Sequence, residues 1–219
     1  KPQKLHTALL LQDFITVMEK TANRDLDWFY EQWMNTSRKL DYALQGYRGH
    51  WEKIAGRRFY KCQVNLDRKA EIFMPVDFSV YLKDGTVQRF HVPVDNSSEP
   101  AGNRITLPYW HFSQKKYTAN LTLSAGIRMV KLDSTLSLTD INSLNNTSSC
   151  LPEQEFHWMR YQSYAPPLDK YIWEIWPLFF YNDYDQAKAG IKLNGSYLNI
   201  DHKLNTRVWY KTAHPAVDA

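Results

Sequence analysis

The sequence predicts a mainly β protein: an N-terminal helix pair, then an antiparallel β-sandwich, then an aromatic-rich linker ending in β-hairpins. Three observations predict it. Apolar residues recur at helical spacing only before about residue 41. Beyond it they alternate with polar residues over short runs bounded by Gly, Pro and Asp-Gly. From Ser148 to Pro177, aromatics and prolines crowd together with no period.

From Leu9 to Lys20, Leu10, Leu11, Phe14, Val17 and Met18 fall at helical spacing. After Thr21-Ala22-Asn23 a second helix is expected, with Leu26, Phe29, Tyr30 and Trp33 along one stripe. Asp25 and Asp27 fall in its first turn, where the helix dipole favours negative charge. Two short helices cannot bury two apolar faces against each other alone, so they must cover something else.

The strand signals come next. Tyr60, Cys62, Val64 and Leu66 alternate with polar residues, as do Val76, Phe78, Val80 and Leu82, then Phe90 and Val92. Tyr117, Ala119, Leu121 and Leu123 come later, and then Val130 and Leu132. Short alternating strands with turn residues between them argue an immunoglobulin-like sandwich. The hairpin at Lys83-Asp84-Gly85 has a decidable register. A two-residue loop sets Val80 opposite Arg89 and mixes the faces. A three-residue loop with Gly85 left-handed sets Phe78 opposite Phe90 and Val76 opposite Val92, so the bulged form is expected.

Past Ser148, Trp158, Pro166-Pro167, Trp173 and Pro177 read as an extended linker pressed onto a surface. Ala187, Ala189, Ile191 and Leu193 then alternate, and Val208-Trp209-Tyr210 complete the pattern, giving one or two hairpins. The expected units are residues 1–42, 43–150 and 151–219. The chain opens on Lys1 rather than Met and periodic structure begins almost at once, as expected of a piece of a longer polypeptide.

The net charge is +4 with the basic residues scattered, which argues against nucleic-acid binding. No apolar run approaches ~18 residues, so no transmembrane helix is expected. Cys62 and Cys150 form neither a disulfide framework nor a zinc pattern, and whether they pair is open.

Chemistry is sparse. None of the seven histidines sits in an H-E-x-x-H or H-x-H arrangement. There is no G-x-S-x-G elbow, P-loop or G-x-G-x-x-G, so no catalytic residue is assigned. The stretch VKLDSTLSLTDINSLNN gathers Asp133, Asp140 and Asn142 with Asn145 and Asn146, oxygens suited to Ca²⁺. It lacks the Gly and bidentate Glu of an EF-hand, and Asx-turns explain such a stretch more simply. Trp28, Phe29 and Trp33 are the candidate interface residues: such aromatic wealth admits a carbohydrate-binding platform, but it more often fills an interdomain interface.

The segment DFITVMEKTANRDLDWFYEQWMNTSRKLDYAL resembles the end of the catalytic region in aminopeptidase-N-like zinc metallopeptidases. Phe14, Glu19, Asp25, Leu26, Trp28, Phe29, Tyr30, Gln32, Trp33 and Met34 carry the match. Asn35 to Leu40 depart from the Gly-x-Pro usual there. MPVDFSVYLKDGTVQRF resembles that family's post-catalytic β-sandwich, and VKLDSTLSLTDINSLNN its closing strand. Farther on, FFYNDYDQAKAGIKL is similar to strands of outer-membrane barrel proteins.

The resemblance implies a non-catalytic C-terminal fragment, from an exported enzyme of the periplasm or cell envelope. Zinc, held by H-E-x-x-H and a later Glu, would lie upstream of Lys1, with no cofactor in this chain. The expected partners are the missing N-terminal catalytic domain and a C-terminal region, with peptides as substrates of the whole enzyme. A partly exposed aromatic and apolar patch is expected over residues 5–34. The alternative is a self-contained β-sandwich whose aromatics bind glycan or a protein surface.

Overall fold

The computed structural model describes residues 10–94, 102–149, 151–159, 165–183 and 186–211. Two helices, α1 (Leu11–Ala22) and α2 (Asp27–Met34), precede the strands. In chain order these are β1 (Tyr42–Ile54), β2 (Arg57–Arg68), β3 (Val76–Leu82), β4 (Val87–Val92), β5 (Ile105–Thr106), β6 (Lys116–Leu123), β7 (Ile127–Leu132), β8 (Glu153–Trp158), β9 (Lys170–Asn182), β10 (Gln186–Tyr197) and β11 (Asp201–Lys211). The protein is mainly β.

Both helices form where the apolar spacing puts them. Asn23 ends α1 in the left-handed conformation, φ 50°, which Asn tolerates better than other non-glycine residues. Its neighbour Arg24 donates its N–H back to the Glu19 carbonyl. At the start of α2, the Asp25 carboxylate accepts the Asp27 N–H and the Glu19 carboxylate accepts that of Leu26, satisfying donors that the helix leaves open.

The strands make three sheets, ordered β1-β2-β6, β5-β4-β3-β7 and β11-β10-β9-β8. The first two share one apolar core, built from alternate residues of each. On β6 the alternation is complete, with Tyr117, Ala119, Leu121 and Leu123 inward. Cys62, Val64 and Leu66 of β2 face Phe78, Val80, Phe90 and Val130 in the same cluster.

The β3–β4 hairpin has the expected register, Val76 opposite Val92 and Phe78 opposite Phe90, with those two phenyl rings stacked. Leu82 donates to the Thr86 carbonyl across the three-residue loop, and Gly85 has φ +89°. A Cβ there would meet no atom, so the whole penalty of substitution is conformational. Gly85→Val is expected to destabilise by about 1–2 kcal/mol. An unchanged urea midpoint would contradict that turn geometry.

β1 and β2 form a second hairpin that the alternation does not reveal. Its two-residue loop, Ala55-Gly56, has positive φ at both positions, the primed turn that matches strand twist. β1 carries a bulge at Gly46, and Gly49 lies against the Tyr60 ring and the Cys62 Cβ, where a side chain would collide.

The expected extended linker over residues 148–177 is, in its described part, a pair of strands. β8 runs parallel to β9, which is also the partner of β10. Chain extension is what the prolines and aromatics suggest, but sequence carries no mark of the parallel pairing. Pro177 fits in β9 because β8 ends opposite Ile175, leaving that side of the strand without a ladder partner among the described residues. Tyr197 joins this sheet to the rest: its hydroxyl accepts the Ser143 N–H and donates to the Leu168 carbonyl. Lys131 on β7 pairs with Asp169 at 2.7 Å.

Candidate functional site

The aromatic end of α2 is fixed to the β core by one side chain. The Gln32 amide oxygen accepts the Phe73 N–H at 2.7 Å while its nitrogen donates to the Phe73 carbonyl at 3.3 Å, so a side chain imitates a strand partner. Beside it Trp33 packs onto the core, half-buried. Phe29 makes ring contacts with Trp28, Tyr30 and Trp33, and Tyr30 touches Phe14 of α1. Trp28, Gln32, Arg38, Phe73, Val94 and Phe112 line an open groove of about 500 Å³ between α2 and the strands. The Arg68 guanidinium lies against both the Phe73 and Phe112 rings, which touch each other, and donates to the Phe112 carbonyl.

The three candidate interface residues thus come together. The indole N–H groups of Trp28 and Trp33 are buried without an acceptor among the described residues. α1 turns Ile15 inward, yet Leu10, Leu11, Phe14, Val17 and Met18 of its apolar stripe all face solvent. Water should not be the permanent neighbour of such a stripe. Because its ring is only half-buried, Trp33→Ala is expected to cost about 2 kcal/mol, less than the ~3–5 of an enclosed Trp. Urea denaturation followed by circular dichroism reads this directly, and a loss above ~4 kcal/mol would mean that the ring anchors the core.

The oxygen-rich stretch divides into two separate sets of bonds. Asp133 at the end of β7, φ 38°, accepts from the Ser137 N–H, the Ser137 hydroxyl and the Leu138 N–H, an Asx-type closure of its own turn. Asp140 is buried and accepts from the Tyr42 N–H, the Asn142 N–H and the Asn146 side-chain amide. Burial pushes the Asp140 carboxyl above the ordinary carboxylate range, and these three bonds oppose the shift. Asn142 lends Asp140 its backbone N–H, while its own side-chain oxygen is buried without a donor among the described residues. Both carboxylates are committed to protein donors and latch chain segments together.

Two polar groupings escape a reading of the sequence. Asp77 on β3 holds His91 on β4 through Oδ1 and Nδ1 at 2.7 Å, and its other oxygen pairs with Arg104. Asp77 and His91 are cross-strand partners in β3–β4, so the hairpin register was the available signal. Glu19, Asp25 and Asp27 converge at the α1–α2 turn, where two of the three cap backbone amides. Cys62 is a free thiol within the core, its pKa pushed up to about 11 by burial, which suppresses its reactivity. Cys150 lies outside the described residues, so the question of a pair with Cys62 falls there too.

Among the described residues, Asp77 is engaged with His91 and Arg104, Asp133 and Asp140 with backbone and side-chain donors, and Glu19 and Asp25 with backbone amides. What the N-terminal region presents is the exposed apolar stripe of α1 beside the aromatic cluster of α2. No protein-family description, curated protein or solved structure matches this chain.

Proposed function

We propose that this chain is the non-catalytic segment that follows the zinc site of an exported, aminopeptidase-N-like metallopeptidase, and that it braces the catalytic domain. The solvent-facing stripe of α1 carries the reading, because Leu10, Leu11, Phe14, Val17 and Met18 form an amphipathic face that the described residues leave largely uncovered. The catalytic domain is the occupant that the W-F-Y-x-Q-W resemblance supplies. The role of Gln32 adds support: the one Gln of that motif is the side chain that ties α2 to the strands. In this reading the first two sheets are an immunoglobulin-like sandwich. Order β1-β2-β6 lies opposite β4-β3-β7, and residues 146–148 bond to Val130 and Leu132 as a closing strand.

Zinc, its ligands and the peptide site would then reside in the preceding domain, and peptides would be substrates of the whole enzyme. The test is a longer polypeptide carrying the region encoded upstream of Lys1. It should contain H-E-x-x-H with a later Glu and hydrolyse aminoacyl-anilides with zinc, whereas the present chain with added zinc should not. Val17→Asp in the longer protein should loosen the docked domains and lower its thermal midpoint. Zinc-dependent turnover by this chain alone would refute the reading, as would an upstream region without a zinc motif.

A further inference from the structure

We infer that one face of the β8–β11 sheet is a lipid-facing surface. The strand period sorts the charges of β8, β9 and β10 onto the opposite face, which also carries Trp176, Leu178 and Phe180. On β9 the positions from Tyr171 to Tyr181 that point one way are Tyr, Trp, Ile, Pro, Phe and Tyr, and their cross-strand partners continue the pattern. Ile175 lies opposite Leu193, Pro177 opposite Ile191, and Ile191 opposite Val208. Among the described residues of β8, β9 and β10, and of β11 from Leu204 onward, this face carries no charged side chain. The charges stand on the other one: Lys192 opposite Arg207, and Lys170 bridged to Glu153 and Glu155.

Exposure on this face runs against what water selects. Phe179 is 85% exposed, Tyr210 74%, Val208 66% and Trp158 61%, all on the apolar face. The other face is mixed: Glu174, Trp176, Leu178, Lys192 and Asn194 are half-covered and Ile172 is buried, while Phe180, Trp209, Asn205 and Arg207 are exposed. A sheet that packs in water hides its apolar side and wets its polar one. Here the uncharged side leaves Phe179, Tyr181, Val208 and Tyr210 exposed, so its natural neighbour is itself apolar.

The arrangement along the strands selects lipid over protein. Trp173 and Phe156, with Trp158 beside Ile175, lie towards one end of the band, Phe179, Tyr181 and Tyr210 at the other, with Leu193, Ile191 and Val208 between. Rings with a polar tip at both ends and aliphatics between them match the headgroup–acyl–headgroup profile of a bilayer. A protein–protein face is instead most aromatic near its centre. From Trp173 to Tyr181 the strand runs about 26 Å at ~3.3 Å per residue, near the ~25 Å apolar band of membrane strands. Among the described residues β11 is the outermost strand on one side of the sheet, and on the other the β8 ladder reaches only as far as Ile175 of β9. Alone, the sheet therefore rests with these edges at headgroup depth, and strands added to them would let the same face go deeper.

Flotation of the whole chain with phosphatidylcholine vesicles tests this. Wild type should float, and brominated lipid should quench its fluorescence in a way that Trp158→Phe and Trp173→Phe diminish. Ile191→Asp and Val208→Asp, both at exposed positions, should lower the bound fraction at least tenfold while leaving the circular dichroism unchanged. Lys192→Ser on the opposite face and Val17→Asp on α1 should float like wild type. The inference falls if wild type stays with the soluble fraction, or if Val17→Asp abolishes flotation and Val208→Asp does not. It also falls if the chain forms dimers that Val208→Asp dissolves without any vesicle binding, since the face would then belong to a second copy.

Discussion

Trp110→Ala is expected to cost about 3–5 kcal/mol, the range for an enclosed aromatic. Trp110 lies between β5 and β6 and is 1% exposed. Its ring meets Tyr42, Phe73 and Tyr117 at centroid distances of 5.6, 6.3 and 5.3 Å, so it links the start of β1, the approach to β3 and the start of β6. The indole N–H donates to the Gln114 carbonyl and the backbone N–H to that of Pro93. Alanine would remove the filler of three elements at once and leave the Gln114 carbonyl without its donor. Phe at the same position keeps most of the ring volume and should recover over half of the loss. Urea unfolding followed by far-UV circular dichroism measures both, and a loss below about 1 kcal/mol for alanine would show that the neighbours collapse into the space.

The second large effect concerns Asp140. Asp140→Ala strands the Tyr42 N–H, the Asn142 N–H and the Asn146 amide, at an expected cost of about 2–4 kcal/mol. Its pH dependence has a definite sign. Burial raises the folded carboxyl above the ordinary value of 3.8, so the folded state binds this proton more tightly than the unfolded one. This contribution to stability is complete below the ordinary value and is lost as pH rises towards the folded value. Asp140→Asn, which keeps an acceptor oxygen but cannot ionise, should remove that slope. If the slope persists in the variant, another group is its source.

Legibility tracks how strongly local chemistry marks each element. The β3–β4 hairpin is readable to the residue because Asp84-Gly85 names the turn and only one register buries Phe78 with Phe90. β6 is readable because its alternate residues meet one dry and one wet side. β1 is not, since its outer half, from Tyr47 onward, lies largely in solvent and shows no alternation. β8 and β9 read as a linker because their pairing is parallel and depends on contacts distant in sequence. The same limit hides Asp77 with His91 and Arg104, and the grip of Gln32 on Phe73: each is a meeting of separate segments. Trp28, Phe29 and Trp33 stand out in the sequence by density alone, and they do share one cluster.

The pairing of β2 with β6 also sets a timetable for the nascent chain. Val64 must wait for Ala119 before the first sheet is complete, and β3, β4 and β5 are made in between. At ~10 residues per second a ribosome needs several seconds for that stretch. During the interval Cys62, Val64 and Leu66 have only the β1–β2 ribbon beside them and no dry layer above. A two-stranded ribbon is barely stable by itself. Each new chain therefore passes through a period in which its best β-forming segment is a ready substrate for chaperones, and translation speed across residues 69–123 becomes a determinant of yield.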